Sequence, residues 1–166
     1  ELARRLKAAS IEMAAEFGVW RLVTHKEKIQ IDLTAYQGKD LKADLLRRDF
    51  SFNALAYPVS ALPQIEITPH QDGTARVILK RLQRKNIVDV VGGLQAVADK
   101  VIDENNPRVF KEDPLRMLRA FRSAAELGFS ISPRTLAQIK KDCALINQPA
   151  GERVREELER LFATSK

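Results

Sequence analysis

The segment Lys111-Glu112-Asp113-Pro114-Leu115-Arg116-Met117-Leu118-Arg119-Ala120-Phe121-Arg122 carries more potential chemistry than any other stretch of the chain. Residues three apart are neighbours on a helix surface. The spacing therefore predicts one slowly spiralling row of Asp113, Arg116, Arg119 and Arg122 that begins at a helix N-terminus. A carboxylate only accepts hydrogen bonds and a guanidinium only donates them, in a planar fork. Asp113 beside Arg116 would be a polar edge of the kind that pairs with a base, with the further arginines left to hold phosphates or stack. The same spacing also suits a solvated charged face, with Arg122 and Glu126 as an ordinary helix pair, and the segment alone does not decide between the two.

A second constellation is Leu45-Leu46-Arg47-Arg48-Asp49-Phe50-Ser51-Phe52-Asn53-Ala54-Leu55. It is either a capped helix end with surface charges, or a site in which Arg48 faces a phosphate or ribose while Asp49 and Asn53 hold the backbone. A third is Asp89-Val90-Val91-Gly92-Gly93, for which a strand-ending turn accounts. His25 and His70 fall in polar loops and are expected to be exposed. Asp32 is the one strand carboxylate placed to serve as a third acidic residue. The single cysteine, Cys143, is followed by Ala144, Leu145 and Ile146 and is expected to be a buried structural thiol.

The elements that must position these residues fall into two periodicities. A helix is expected over 2–16, with Leu2, Leu6, Ala9 and Met13 on one stripe. A strand follows over 19–23, a turn over 24–28, and a second strand over 29–35, where Ile29, Ile31 and Leu33 alternate with Gln30, Asp32 and Thr34. Short helices are expected over 41–47 and 52–56, and an exposed loop over 63–73. Residues 74–85 are compatible with helix or strand, and 87–91 read as a strand. From Leu94 onward the pattern is helical. Asp113 is expected as N-cap with Pro114 at the first helical position, with Leu115, Leu118, Phe121 and Ala125 as the apolar stripe and Gly128 as the stop. Ser132-Pro133 opens the next helix, to about Ile146, and Gly151 precedes the last.

The fold class expected is α+β, with an α/β part over 1–93 followed by an all-helical part over 94–166. Hydrophobic residues make up 45% of the chain, enough for a core, and one cysteine excludes an internal disulfide. No apolar run approaches the ~20 residues of a membrane span, so a cytoplasmic, membrane-free protein is expected. Lys and Arg number 28 against 22 Asp and Glu, a net charge of +6. This surplus favours phosphate contacts without requiring them.

Four motifs in order resemble the class II (bacterial-type) tRNA nucleotidyltransferases and their poly(A) polymerase relatives. They are Arg-Arg-Asp-Phe-Ser-Phe-Asn-Ala at 47–54, Asp-x-x-Gly-Gly at 89–93, Glu-Asp-Pro-Leu-Arg-x-Leu-Arg-Ala-x-Arg at 112–122, and Gly-Glu-Arg-Val-Arg-Glu-Glu-Leu at 151–158. The resemblance implies the C-terminal part of a polymerase-β-like head over 1–93 and a helical neck over 94–166. It implies ATP or CTP as substrates and a tRNA or other RNA 3′ end as partner. Asp113 and Arg116 would stand in for a template by pairing with the base. Arg119, Arg122 and Arg48 would complete the nucleotide site.

The family's metal-binding Asp-x-Asp strand, and the Gly-Gly-x-Val-Arg-Asp segment before it, are not present in these 166 residues. The expectation is a missing upstream portion that holds the Mg²⁺ ligands, so that no metal ligand and no catalytic residue is assigned within this chain. The downstream helical domains that grip tRNA are also expected to be missing, and the chain alone is expected to be inactive. The rival expectation is a non-catalytic nucleotide- or RNA-binding module that keeps the motifs without the metal carboxylates.

Overall fold

The strand expected over 19–23 is observed at Val19–Thr24, and the alternating stretch 29–35 gives a strand at Gln30–Leu33. The computed structural model describes residues 2–14, 18–25, 29–62, 65–69, 75–79 and 82–164. Its contacts divide the chain into two compact units, Glu1–Gln37 with Tyr57–Asn86, and Gly38–Ala56 with Ile87–Lys166. Residues 38–56 and 87–93, grouped with the first part in the sequence reading, thus pack within the second unit.

In the first unit a one-turn helix α1 (Leu2–Arg5) leads to β1 (Ala8–Ala14). This corrects the helix expected over 2–16. The stretch is rich in good helix formers, but β1 pairs along its length with β2 (Val19–Thr24). Pairing to a neighbouring strand overrides local propensity. Lys7, at φ 48°, turns the chain from helix to strand. β3 (Gln30–Leu33) completes an antiparallel meander in the order β1-β2-β3. The turn between β2 and β3 is held by Thr24, whose hydroxyl accepts the Ile29 N–H at 2.9 Å. Within the expected turn, 26–28 lie outside the described residues.

Asp32 lies directly across from Arg21 and accepts its guanidinium at 2.7 and 2.8 Å. That hydrogen bond holds the Asp32 carboxyl below its ordinary range. The strand carboxylate considered as a third acidic residue is thus taken up by a cross-strand pair. His25 is exposed, and His70 lies outside the described residues. One further correction falls here, and one open reading is resolved. The loop expected over 63–73 contains β5 (Ile65–Pro69), and the undecided 74–85 contains β6 (Ala75–Leu79), antiparallel to it. Pro69, having no N–H, stands at a strand end where it is tolerated.

The second unit begins with α2 (Leu41–Leu46), capped by Asp40, which accepts the Ala43 N–H at 2.8 Å. The helix expected over 52–56 is a 3₁₀ turn at Ser51–Asn53 followed by β4 (Leu55–Ala56). β4 pairs antiparallel with β7 (Val88–Asp89), a shorter strand than the one expected over 87–91. Then come α3 (Gly93–Asp99), β8 (Val101–Ile102), α4 (Val109–Glu112), α5 (Leu115–Leu127), β9 (Ser130–Ile131), α6 (Pro133–Asp142) and α7 (Gly151–Ala163). The mixed architecture is α+β, as expected. Ser132 caps α6 by accepting the Thr135 N–H, and Gly128 ends α5 at φ 66°.

One core serves this unit: Phe50, Ile102, Val109, Phe110, Met117, Ala120 and Ile139, with Phe52, Phe129 and Ile131 packed against it. A fully buried Phe or Val contributes about 1.5–3 kcal/mol, so Phe50, Val109 and Phe110 anchor the start of the helical part. α5 turns Met117, Ala120 and Ser123 inward, whereas Phe121 is 40% exposed and Ala125 also lies outward. The expected stripe through Leu118, Phe121 and Ala125 is therefore rotated. The small Ala120 and Ser123 let the helix approach its neighbours closely. Cys143, expected to be buried, is exposed. It begins a 3₁₀ turn (Cys143–Asn147), and the side chain buried at that corner is Asp142.

β8 and β9 pair in parallel. Beside them Glu104 is buried, its carboxylate accepting the Thr135 hydroxyl and facing Arg134 Nε at 3.4 Å.

Candidate functional site

The segment after α2 is fastened before any helix of the site begins. Asp49 Oδ1 accepts its neighbour's Phe50 N–H at 3.1 Å and the Asn53 amide at 2.8 Å. Asn105 reaches across to donate to the Arg48 carbonyl at 2.8 Å, and its N–H donates to the Asp49 carbonyl. These bonds leave Asp49 Oδ2 facing Arg119 Nη1 at 3.4 Å. Asp49 is buried, so its charge needs a partner, and Arg119 supplies it.

Asp113 caps α5, as expected. It is extended, at φ −148° and ψ 102°, while Pro114 is already helical at φ −61° and ψ −23°. Its Oδ1 accepts the Leu115 N–H at 3.3 Å, while Oδ2 faces Arg153 Nη2 of α7 at 3.6 Å. The Asp113 carbonyl accepts the Arg116 N–H at 3.1 Å, but the Arg116 side chain is engaged elsewhere. Arg116 Nη1 donates to the Val109 carbonyl and to Glu112 Oε2, both at 3.3 Å.

The other two arginines of the row meet α7. Glu157, buried on that helix, faces Arg122 Nε at 3.3 Å and Arg119 Nε at 3.8 Å. Arg122 also donates to both oxygens of Glu126, at 2.8 and 2.9 Å. Partial burial pulls the Arg122 guanidinium down, but Glu126 and Glu157 together outweigh it and raise it above its ordinary value. It is a fixed cation.

The result is a cleft of about 270 Å³ between α5 and α7, lined by Asp113, Leu115, Arg119, Arg122, Arg153, Glu156, Glu157 and Arg160. Three of the five residues singled out as nucleotide-binding therefore share one cleft. Arg116 and Arg48 do not line it, Arg48 being paired with Asp44 at 3.0 Å. Sequence reasoning named 151–158 as a motif but gave no site role to Arg153, Glu156 or Glu157, and it did not reach Arg160. Their spacing along one helix, i, i+3, i+4 and i+7, was a signal for a single charged face. A cleft with four guanidiniums, two of them committed to buried acids, can hold an anion while Asp113 accepts from a donor.

At the other constellation Asp89 accepts four backbone N–H groups, from Val91, Gly92, Gly93 and Leu94, at 2.8–3.2 Å. Burial would push its carboxyl up, but the four bonds outweigh this and hold it below the ordinary range. Gly93 is required by contact, since a Cβ there would lie 2.3 Å from the Ser51 carbonyl oxygen. Among the described residues no group of three or more His, Cys, Asp or Glu gathers to hold a metal ion. No helix among them is long and apolar enough to cross a membrane.

The family model of the poly A polymerase head domain matches residues 4–103. That of the probable RNA and SrmB-binding site of polymerase A matches 128–166. The chain is 35% identical over 142 residues to the CC-adding tRNA nucleotidyltransferase of Halalkalibacterium halodurans, covering 85% of this chain and 32% of the relative. It is 32% identical over 161 residues to the CC-adding tRNA nucleotidyltransferase of Geobacter sulfurreducens, covering 97% of this chain and 32% of the relative. The chain thus spans about a third of the length of these relatives. The crystal structure of the Bacillus stearothermophilus CCA-adding enzyme in complex with CTP superposes with a TM-score of 0.71 at 26% identity, covering 92% of this chain and 34% of that one.

Proposed function

Because the chain belongs to the poly A polymerase head-domain family, we propose that its protein is a template-independent nucleotidyltransferase that adds nucleotides from CTP or ATP to an RNA 3′ end, with tRNA as the acceptor. The observation that carries this reading is the cleft between α5 and α7, where an acceptor carboxylate stands among guanidiniums. Asp113 reads the base, and Arg119 and Arg122 hold the triphosphate side. Arg116 and Arg48 act from the rim, on release from Glu112 and Asp44. Residues 1–93 belong to the head, 94–166 form the neck, and the protein works in the cytoplasm.

Mg²⁺ is the metal of this reading, since phosphate and carboxylate oxygens suit hard cations. It would supply charge neutralisation at the transferred phosphate. This chain's part is to bind and orient the nucleotide. The two relatives named above are CC-adding enzymes, which supports CTP as one substrate.

The test incubates the complete protein with Mg²⁺, labelled CTP or ATP, and tRNA that lacks its 3′-terminal CCA. Incorporation at the 3′ end is expected, and none from the 166-residue chain alone. A complete protein that binds CTP and transfers none of it overturns the transferase reading in favour of a nucleotide-binding module.

A further inference from the structure

A second cavity of the same unit shares no residue with the α5–α7 cleft. Its volume is about 350 Å³, and its lining includes Ser51, Gln95, Asp99, Asp103, Asn105 and Arg134. Ser51 is only 5% exposed, and its hydroxyl has no hydrogen-bond partner among the described residues. Asn105 Oδ1 is likewise buried without a partner. The amide nitrogen of Asn105 faces two carbonyls, those of Arg48 at 2.8 Å and Leu45 at 3.4 Å, which fixes the oxygen at the opposite end. A buried polar group without a partner is costly, and two on residues lining one cavity mark it as shaped for a ligand.

The charges around the cavity choose the sign of that ligand. Asp99, Asp103 and Glu104 line it against one guanidinium, Arg134, in a chain whose net charge is +6. Glu104 is spent on the Thr135 hydroxyl and on Arg134. Asp103 takes the Ser132 hydroxyl on one oxygen and Asp99 takes the Gln95 amide on one oxygen, so each keeps a second oxygen as acceptor. The open groups are thus mostly acceptors, and a ligand that fits them donates hydrogen bonds and carries positive charge. Among the described residues no acids gather to hold a metal ion, and a phosphate meets the wrong sign. An ammonium group supplies three N–H donors on a compact charge. We propose that this cavity binds a small aliphatic diamine, with one ammonium on Ser51 and Asn105 and the other on Asp99 and Asp103. Asn105 also holds the backbone at Arg48 and Asp49, so occupancy steadies the segment that presents Asp49 to Arg119. The proposal is independent of the nucleotide-binding reading of the other cleft.

Calorimetric titration of the complete, RNA-free protein with putrescine tests this, at an ionic strength that screens surface charge. Saturable binding is expected. Neither tetramethylammonium, which has the charge without N–H donors, nor neutral butanediol should compete. Ser51→Ala is expected to weaken putrescine by about fivefold or more. Its thermal midpoint should stay level or rise, because an unpaired buried hydroxyl is removed. Asp99→Lys, which reverses an exposed charge, should weaken putrescine by a similar factor without disturbing the fold. No saturable binding below about 10 mM overturns the proposal, as does competition by tetramethylammonium. Parental affinity in Ser51→Ala also overturns it, and parental affinity in Asp99→Lys does so even where Ser51→Ala fails to fold. A lysine amide that binds as tightly as putrescine overturns the free diamine in favour of a protein lysine.

Discussion

Asp89 and Asp113 both stand just before a helix, yet their carboxylates are treated in opposite ways. Asp89 collects four backbone N–H groups at the start of α3, and little acceptor capacity remains. Asp113 takes one N–H at 3.3 Å and one loosely held guanidinium at the start of α5. The saturated carboxylate fixes a backbone; the unsaturated one has capacity to offer a ligand. The residue type is the same in the two cases, although Asp89 stands further ahead of its helix than Asp113 does. The acceptor capacity left unspent separates an acid that only holds the backbone from one that could also receive a ligand.

The comparison can be broken at its structural end first. Gly93→Ala should cost about 3 kcal/mol, because the added methyl meets a backbone oxygen that cannot swing away. Thermal unfolding checks this, and a variant with the parental midpoint would show that the Asp89 turn is not rigid.

Asp89→Asn comes next, at about 2 kcal/mol near neutral pH, since bonds to an ionised acceptor are the stronger ones. The sign of its pH dependence follows from the direction of the shift. The folded carboxyl lies below its ordinary value. Its contribution is therefore complete above about pH 4 and is lost as pH falls through the lower folded value. Urea unfolding of parent and variant should show the largest gap near neutrality and a shrinking gap below about pH 4. A gap that grows on acidification would contradict the assignment.

The smallest expected effect on stability is at Asp113. Asp113→Asn removes one exposed ion pair and should change unfolding by less than about 1 kcal/mol, while altering which nucleotide the complete protein prefers. A large loss of stability with unchanged preference would put Asp113 in the same class as Asp89.

Much of this was legible in the chain. Strict alternation marked β3, and Ser132-Pro133 and Gly128 marked helix limits through local chemistry. What was missed depended on distant partners. Ala8–Ala14 carries a helical spacing of apolar residues and becomes a strand because β2 offers it a ladder. Arg119 and Arg122 were visible from their spacing. Their shared acid Glu157 lies on another helix, and no local rule connects the two. Arg116 was placed beside the Asp113 side chain by its spacing alone, whereas Glu112 and the Val109 carbonyl take its guanidinium.

The parallel pairing of Val101–Ile102 with Ser130–Ile131 has a consequence for how the cleft is kept. It ties together the two ends of the segment that carries α4 and α5, making a closed loop of chain. Closing such a loop is an entropic cost met once, and it grows only slowly with loop length. The helix bearing Arg119 and Arg122 therefore cannot unwind outward from a free end. Local opening of this wall must first undo a clasp whose Ile102 is fully buried, so the wall is retained or lost as a single unit.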